Sequence, residues 1–165
     1  IAVGASLSQT SREIVLENGA DFVVDLSRAE PKESLRAQVF EAVGKGGVDI
    51  CLAPVGGPFF DAALRALAFA GRIVVIGFVD GIPTARPNYF NVKNLTMSGM
   101  ALDLHFRFKP EIIRAAAEDI FRMYAEEKIK PRISTRAPLE NWLDIVSQIG
   151  KGKSAGKAVM ITGRG

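Results

Sequence analysis

The sequence has only one cysteine, Cys51, and one histidine, His105, among its 165 residues. A single cysteine excludes an intrachain disulfide and a Cys-x-x-Cys zinc site, and a single histidine excludes a metal site built on two histidines. No apolar run reaches the length of about 18 residues that a membrane span needs. The first residues do not resemble a signal peptide, so the sequence predicts a cytoplasmic protein with no membrane partner.

Charges of the two signs are nearly balanced. Lys and Arg together number 21 and Asp and Glu number 18, which gives a formal net charge of +3. An excess this small and this scattered argues against nucleic acid as a partner. Apolar residues make up 48% of the chain, which is enough for a folded core and too much for a disordered segment.

Short apolar runs alternate with helix-like segments from residue 1 to residue 78. The apolar runs lie at 1–6, 22–26, 48–54 and 72–78. Between them lie a helix opened by the capping box Thr10-x-x-Glu13, an apolar stripe at 35–43, and another at 60–67 that ends before Gly71. Buried strands joined by crossover helices predict an α/β fold, a doubly wound parallel sheet with helices on both faces.

The alternation is less regular after residue 78. We predict a loop rich in Gly and Pro at 80–87, a strand at 95–102 and a long helix at 111–127. His105 then falls in a polar loop and Cys51 falls inside a strand, so neither is predicted to be catalytic, and no metal site is predicted.

Small residues collect where the predicted strands end. The four ends read Gly4-Ala5-Ser6, Asp25-Leu26, Pro54-Val55-Gly56-Gly57 and Gly77-Phe78. Ligands of open parallel sheets bind at this edge, and small residues let a flat ligand lie against the backbone. The alternative is that the glycines only make tight turns between strands and helices. The dinucleotide motif GxGxxG after a strand is absent, so these residues alone indicate a nucleotide-type sheet and no more.

Several segments, taken in order, resemble one family. They are IAVGAS, NGADFVVDLS, GGVDICLAPVGGPFFDAALRALAFAGRIVVIGF, NVKNLTMSGMAL and KSAGKAVMIT. The sequence is similar to the cofactor domain of medium-chain dehydrogenase/reductases, in their zinc-free quinone oxidoreductase branch. The resemblance implies a C-terminal part of a longer enzyme, whose GroES-like catalytic domain, first Rossmann strand and glycine-rich loop would precede residue 1. It implies a partial Rossmann-type domain at 1–130 and a segment at 131–165 that returns to the catalytic domain.

The resemblance also implies the cofactor contacts. Residues that would border the adenine ribose are Gly4, Ala5 and Ser6, and those on the adenosine side are Pro54, Val55 and Gly56. Residues that would approach the nicotinamide are Ile76, Gly77, Phe78, Met100 and Ala101. Ser11 occupies the family's usual lysine position at the 2′-phosphate, with Arg12 one place later. Whether Arg12 reaches a 2′-phosphate stays open at this point.

The implied reaction is hydride transfer from NADPH to a quinone or an α,β-unsaturated carbonyl. Enzymes that use NAD place an acid at the end of the second strand, where it would repel a 2′-phosphate. The run at 1–6 ends without an acid and Arg12 follows, which favours NADPH. The same features argue against a zinc alcohol dehydrogenase. The alternatives are an enoyl reductase acting on acyl-carrier or coenzyme A substrates and a non-catalytic dimerisation module.

Two structural expectations follow from the implied strand order, in which the absent first strand is central. The strands at 1–6 and 48–54 would flank its place. Either these two strands pair directly, or residues outside the 165 or another chain fill the gap, because unpaired buried backbone is costly. The strand at 95–102 would be an edge without charge or proline, so we expect a homodimer through it.

Overall fold

Our computed structural model describes residues 1–151 and 154–163. The chain divides into two compact units, Ile1–Leu102 and Asp103–Gly165. The first unit begins with β1 (Val3–Ser6), α1 (Gln9–Glu17), β2 (Phe22–Asp25), α2 (Pro31–Val43) and β3 (Val48–Ala53). It continues with α3 (Gly57–Ala66), β4 (Leu67–Val75), α4 (Pro87–Lys93) and β5 (Thr96–Gly99). This order confirms the predicted alternation of strands and helices.

All strand pairs of the first unit are parallel. One sheet contains β1 and β2, and the other has the order β3-β4-β5. Val3 packs with the core that α2 and α3 cover, whereas the next residue, Gly4, faces Val15 of α1. Successive strand residues point to opposite faces, so helices lie on both faces of this sheet. The predicted α/β class with parallel strands and flanking helices is confirmed.

The C-terminal half contains α5 (Leu102–Phe108), α6 (Pro110–Ala125), β6 (Ile133–Pro138), a 3₁₀ turn (Leu139–Asn141), α7 (Trp142–Gly150) and β7 (Lys157–Ile161). β6 and β7 form a parallel pair of their own. Among the residues that the structure describes, no helix is both long enough and apolar enough to cross a membrane.

The predicted boundaries are wrong at three places. α3 passes directly into β4 at Leu67, whereas the sequence placed the end of this helix near Gly71. An irregularity in β4 allows this early start, because the step from Val48 to Ile50 in β3 matches the longer step from Leu67 to Arg72 in β4. Lys93 binds the chain at this junction of helix and strand. Its Nζ donates to the carbonyls of Arg65 and Leu67, both at 2.8 Å.

The other two errors follow from short local signals. The sequence predicts a loop at 80–87 and no helix after it, but Pro87 starts α4. Proline fits the first turn of a helix. The strand predicted at 95–102 ends at Gly99, and the chain enters α5 at Leu102. His105 therefore lies in a helix and not in a loop.

A cleft separates the two sheets of the first unit. β1 and β3 belong to different sheets, so the alternative in which they pair directly is wrong. α2 and α3 pack against each other beside the cleft and bury Leu35, Val39, Ala62 and Ala66. The cleft has a volume of about 860 Å³ and is lined by both strands and by apolar helix residues.

Candidate functional site at the carboxyl edge of the sheets

The predicted site residues collect in two groups at the carboxyl ends of the strands. Gly4, Ala5 and Ser6 lie on β1, with Ser11 and Arg12 on the helix that follows. The second group follows β3, β4 and β5 and contains Pro54, Val55, Gly56, Ile76, Gly77, Phe78, Met100 and Ala101. Of these residues, Ala5 and the segment 54–56 line the same cleft, so one member of the first group and three of the second face each other across it.

Ser11 belongs to the start of α1. Ser8 is the N-cap residue, and its Oγ accepts a hydrogen bond from the backbone N–H of Ser11 at 3.1 Å. The Ser8 hydroxyl also donates to the Ser11 hydroxyl at 2.8 Å. The expectation that Thr10 opens this helix as a capping box is therefore wrong. The Ser11 hydroxyl is the acceptor in this pair, so its own O–H can still donate to a ligand.

Arg12 points to the carboxyl edge. Its Nη1 donates to the carbonyl of Leu7, just after β1, at 2.9 Å and to Oδ1 of Asp25 at 2.8 Å. Both side chains of this ion pair are about one-fifth exposed. The helical rotation that separates Arg12 from the usual lysine position thus still leaves its guanidinium beside the end of β1.

Asp25 is an acid at this edge that the preference for NADPH, drawn from residues 1–12, does not include. It lies opposite Ser6 in the pairing of β1 with β2, so it brings an acid to the edge where β1 has none. Its Oδ1 also accepts from the backbone N–H and the hydroxyl of Ser27, at 2.9 and 2.6 Å. These hydrogen bonds, more than the charges of Arg12 and Arg28, lower the pKa of Asp25. The signal in the sequence was its place at a strand end.

The glycines at this edge have packing reasons of their own. A Cβ on Gly4 would collide with Cγ1 of Val15, and a Cβ on Gly56 would collide with the carbonyl of Gly81. A Cβ on Gly77 would lie 2.9 Å from the carbonyl oxygen of Pro54. Tight approach of helix and loop therefore explains these three glycines without a ligand, as the alternative in the sequence argument proposed.

The second group presents an apolar surface. Ile76 and Phe78 follow β4, Met100 follows β5, and each side chain is about half exposed. Backbone hydrogen bonds fix their positions, because Ile76 N–H donates to Ala53 O at 3.1 Å and Met100 N–H donates to Val75 O at 3.0 Å. We call Ile76, Phe78 and Met100 the apolar ledge. Its chemistry suits a flat ring.

The polar first group and the apolar second group fit the two ends of a nicotinamide dinucleotide. Arg12, with hydroxyl groups nearby, suits a phosphate or ribose, and the apolar ledge suits the nicotinamide. The described residues contain no cluster of three or more His, Cys, Asp or Glu side chains that could hold a metal. Burial raises the pKa of the Cys51 thiol, which makes it a poor nucleophile.

Several known proteins are similar to this chain. Residues 2–120 match the family described as zinc-binding dehydrogenase. The chain is 30% identical over 159 residues to quinone oxidoreductase-like protein 2 of Bos taurus, covering 96% of this chain and 44% of that protein. It is 37% identical over 103 residues to acryloyl-coenzyme A reductase of Sulfurisphaera tokodaii, covering 61% of this chain and 28% of that protein.

A solved structure is similar over nearly the whole chain. It is a mycobacterial protein in complex with NADPH, with a TM-score of 0.81 and 25% identity. The alignment covers 97% of this chain and 49% of that one. The chain therefore spans about half the length of the quinone oxidoreductase-like protein and of this mycobacterial protein.

Proposed function

We propose that this chain, which belongs to the family of zinc-binding dehydrogenases, is the cofactor-binding part of an NADPH-dependent oxidoreductase. The resemblance to quinone oxidoreductases stated from the sequence is confirmed, since quinone oxidoreductase-like proteins are among its relatives. The whole enzyme would reduce a quinone or an α,β-unsaturated carbonyl in the cytoplasm. When bound, the nicotinamide supplies the hydride, and the protein orients it.

One observation carries the proposal: the guanidinium of Arg12 is held just after the end of β1, where it donates to the carbonyl of Leu7. There it would bind a 2′-phosphate, with Gly4 and Ala5 along the ribose. The segment 54–56 would lie on the adenosine side, and the apolar ledge with Gly77 and Ala101 would hold the nicotinamide. We propose residues 1–130 as the cofactor domain and 131–165 as the segment that returns to the catalytic domain.

A second candidate reaction is reduction of an enoyl group on coenzyme A. The observation that favours it is the similarity to an acryloyl-coenzyme A reductase. Hydride chemistry is the same in both reactions, so the cofactor site does not separate them. We keep the quinone or enone as the first choice because the quinone oxidoreductase-like relatives align over 96% of the chain.

Binding of NADPH and NADH to the 165-residue chain tests the proposal. We expect weak binding, with dissociation constants above the micromolar range, because the amides of a glycine-rich loop are not among these residues. Calorimetry should show tighter binding of NADPH than of NADH. Arg12→Gln should remove that difference, whereas Arg114→Gln, which alters an exposed arginine of α6, should not. Equal binding of both cofactors by the unaltered chain contradicts the proposed NADPH preference.

A further inference from the structure

The charged cluster at the ends of β1 and β2 has a carboxylate between two arginines. Arg12 Nη1 lies 2.8 Å from Asp25 Oδ1, and Arg28 Nε lies 4.0 Å from Asp25 Oδ2. Ser27 adds two hydrogen bonds to Oδ1. The Asp25 carboxylate is therefore a fixed acceptor, and it neutralises part of the positive charge at this edge.

The backbone of Asp25 is fixed as well. Its N–H donates to Oε1 of Gln38 at 2.9 Å, and its carbonyl accepts from Nε2 of Gln38 at 3.0 Å. Gln38 lies on α2, so this side chain takes the place of a neighbouring strand at the outer edge of β2. Asp25 cannot easily swing away from Arg12 when a ligand arrives.

A phosphate that binds Arg12 must share the guanidinium with this carboxylate. Both hydrogen bonds that the Arg12 side chain makes to residues within the described part of the chain use Nη1, so Nη2 and Nε are the donors that it can turn toward a ligand. A phosphate dianion there is also repelled by the nearby Asp25 charge. A ribose 2′-hydroxyl meets no such repulsion and can donate a hydrogen bond to a carboxylate.

We propose that Asp25 is a specificity-determining residue of this site: by holding Arg12, it weakens the preference for a ribose 2′-phosphate over a free 2′-hydroxyl. The inference rests on the proposed function, because it concerns the adenosine end of the same cofactor site. It predicts that the preference for NADPH is modest in this chain, and that it can be increased by removing one negative charge.

Two nucleotides that differ only in the 2′-phosphate test this directly. Adenosine 2′,5′-bisphosphate and adenosine 5′-monophosphate are titrated into the chain, and dissociation constants are taken from amide chemical shifts. Asp25→Asn should tighten the bisphosphate about fivefold, a size set by a single screened charge close to the ligand. Binding of the monophosphate should change less than about twofold, since it lacks the group that Asp25 repels.

Asp21→Asn is the matched control. Asp21 lies just before β2, at the opposite ends of the same two strands, where its carboxylate accepts from the Ala2 N–H at 2.7 Å. It removes the same charge and should leave both affinities unchanged. In an Arg12→Gln background, the gain from Asp25→Asn should fall by at least half. Asp25→Ser is the second variant, should Asp25→Asn lose the dispersed spectrum of the folded chain.

The outcomes distinguish the role of Asp25 from the proposed cofactor site itself. If both nucleotides bind and the Asp25 variants leave the bisphosphate unchanged or weaker, the role of Asp25 is overturned and the proposed cofactor site stands. An equal gain in Asp21→Asn would also overturn it, because the effect would then be one of net charge. If neither nucleotide binds to any variant at millimolar concentration, the proposed function fails and the inference falls with it.

Discussion

At the residue scale, the space beside Gly4 of β1 could be filled either by a ligand or by a neighbouring helix. The family resemblance implied that Gly4 borders the adenine ribose. In the structure, the space of its Cβ is taken by Val15 of α1. The helix that carries Arg12 can approach β1 closely for this reason, so Gly4 acts on the site through the position of α1.

We expect Gly4→Ala to destabilise the chain by about 1–3 kcal/mol, because the added methyl overpacks the contact between β1 and α1. Val15→Ala in the same chain should recover part of this loss. Gly46→Ala is the matched control, since Gly46 has open space around its Cβ position and no positive φ. Urea unfolding of the unaltered chain, Gly4→Ala, Val15→Ala, the double variant and Gly46→Ala provides the comparison. A loss that is equal in the presence of Val15→Ala would show that the clash is not the cause.

At the scale of elements, the edge strand β5 presents an exposed backbone edge to another chain. Met100 N–H donates to Val75 O, so by the alternation of a strand Ser98 also faces β4, and Met97 and Gly99 face the outer edge. Among the described residues, no strand pairs with that outer edge. All of Thr96–Gly99 is exposed. We propose that the homodimer expected from the sequence forms here.

Met97→Pro should shift the chain toward monomer without unfolding it, because proline removes an amide donor that faces outward. Ser98→Pro is the contrasting variant, since it removes a donor to β4 and should lower the stability of the sheet itself. Light scattering gives the mass, and circular dichroism reports the fold. A folded Met97→Pro protein that remains a dimer would place the interface elsewhere.

The alternation of strands and helices in 1–66 could be predicted, because the strands are apolar runs and the helices repeat apolar residues at helical spacing. The junction of α3 with β4 could not, since it depends on Lys93, which reaches the carbonyls of Arg65 and Leu67 from a distant helix. The candidate site divides in the same way. Strand ends can be found from apolar runs, whereas the pairing of Arg12 with Asp25 exists only because β1 and β2 are neighbours.

At the scale of the whole molecule, the proposed function does not explain the cleft between β1 and β3, where both strands have an unpaired edge among the described residues. The apolar side chains of Ile50 and Leu52 on β3 are more than half exposed. The alternative that survives from the sequence argument is a strand supplied by residues outside the 165 or by another chain. Such a strand would pair both free edges.

Hydrogen exchange of the chain alone should show an alternating pattern in β3. Ala53 O accepts from Ile76 N–H, so Cys51 and Ala53 face β4, whereas Ile50 and Leu52 face the cleft. We expect the amides of Ile50 and Leu52 to exchange at least about tenfold faster than that of Cys51. The central strand β4 is the internal control, because Ile73 and Val74 face β5 and β3 and should both be protected. Equal protection of Cys51 and Leu52 would mean that the second edge of β3 is paired in solution and that the cleft is filled.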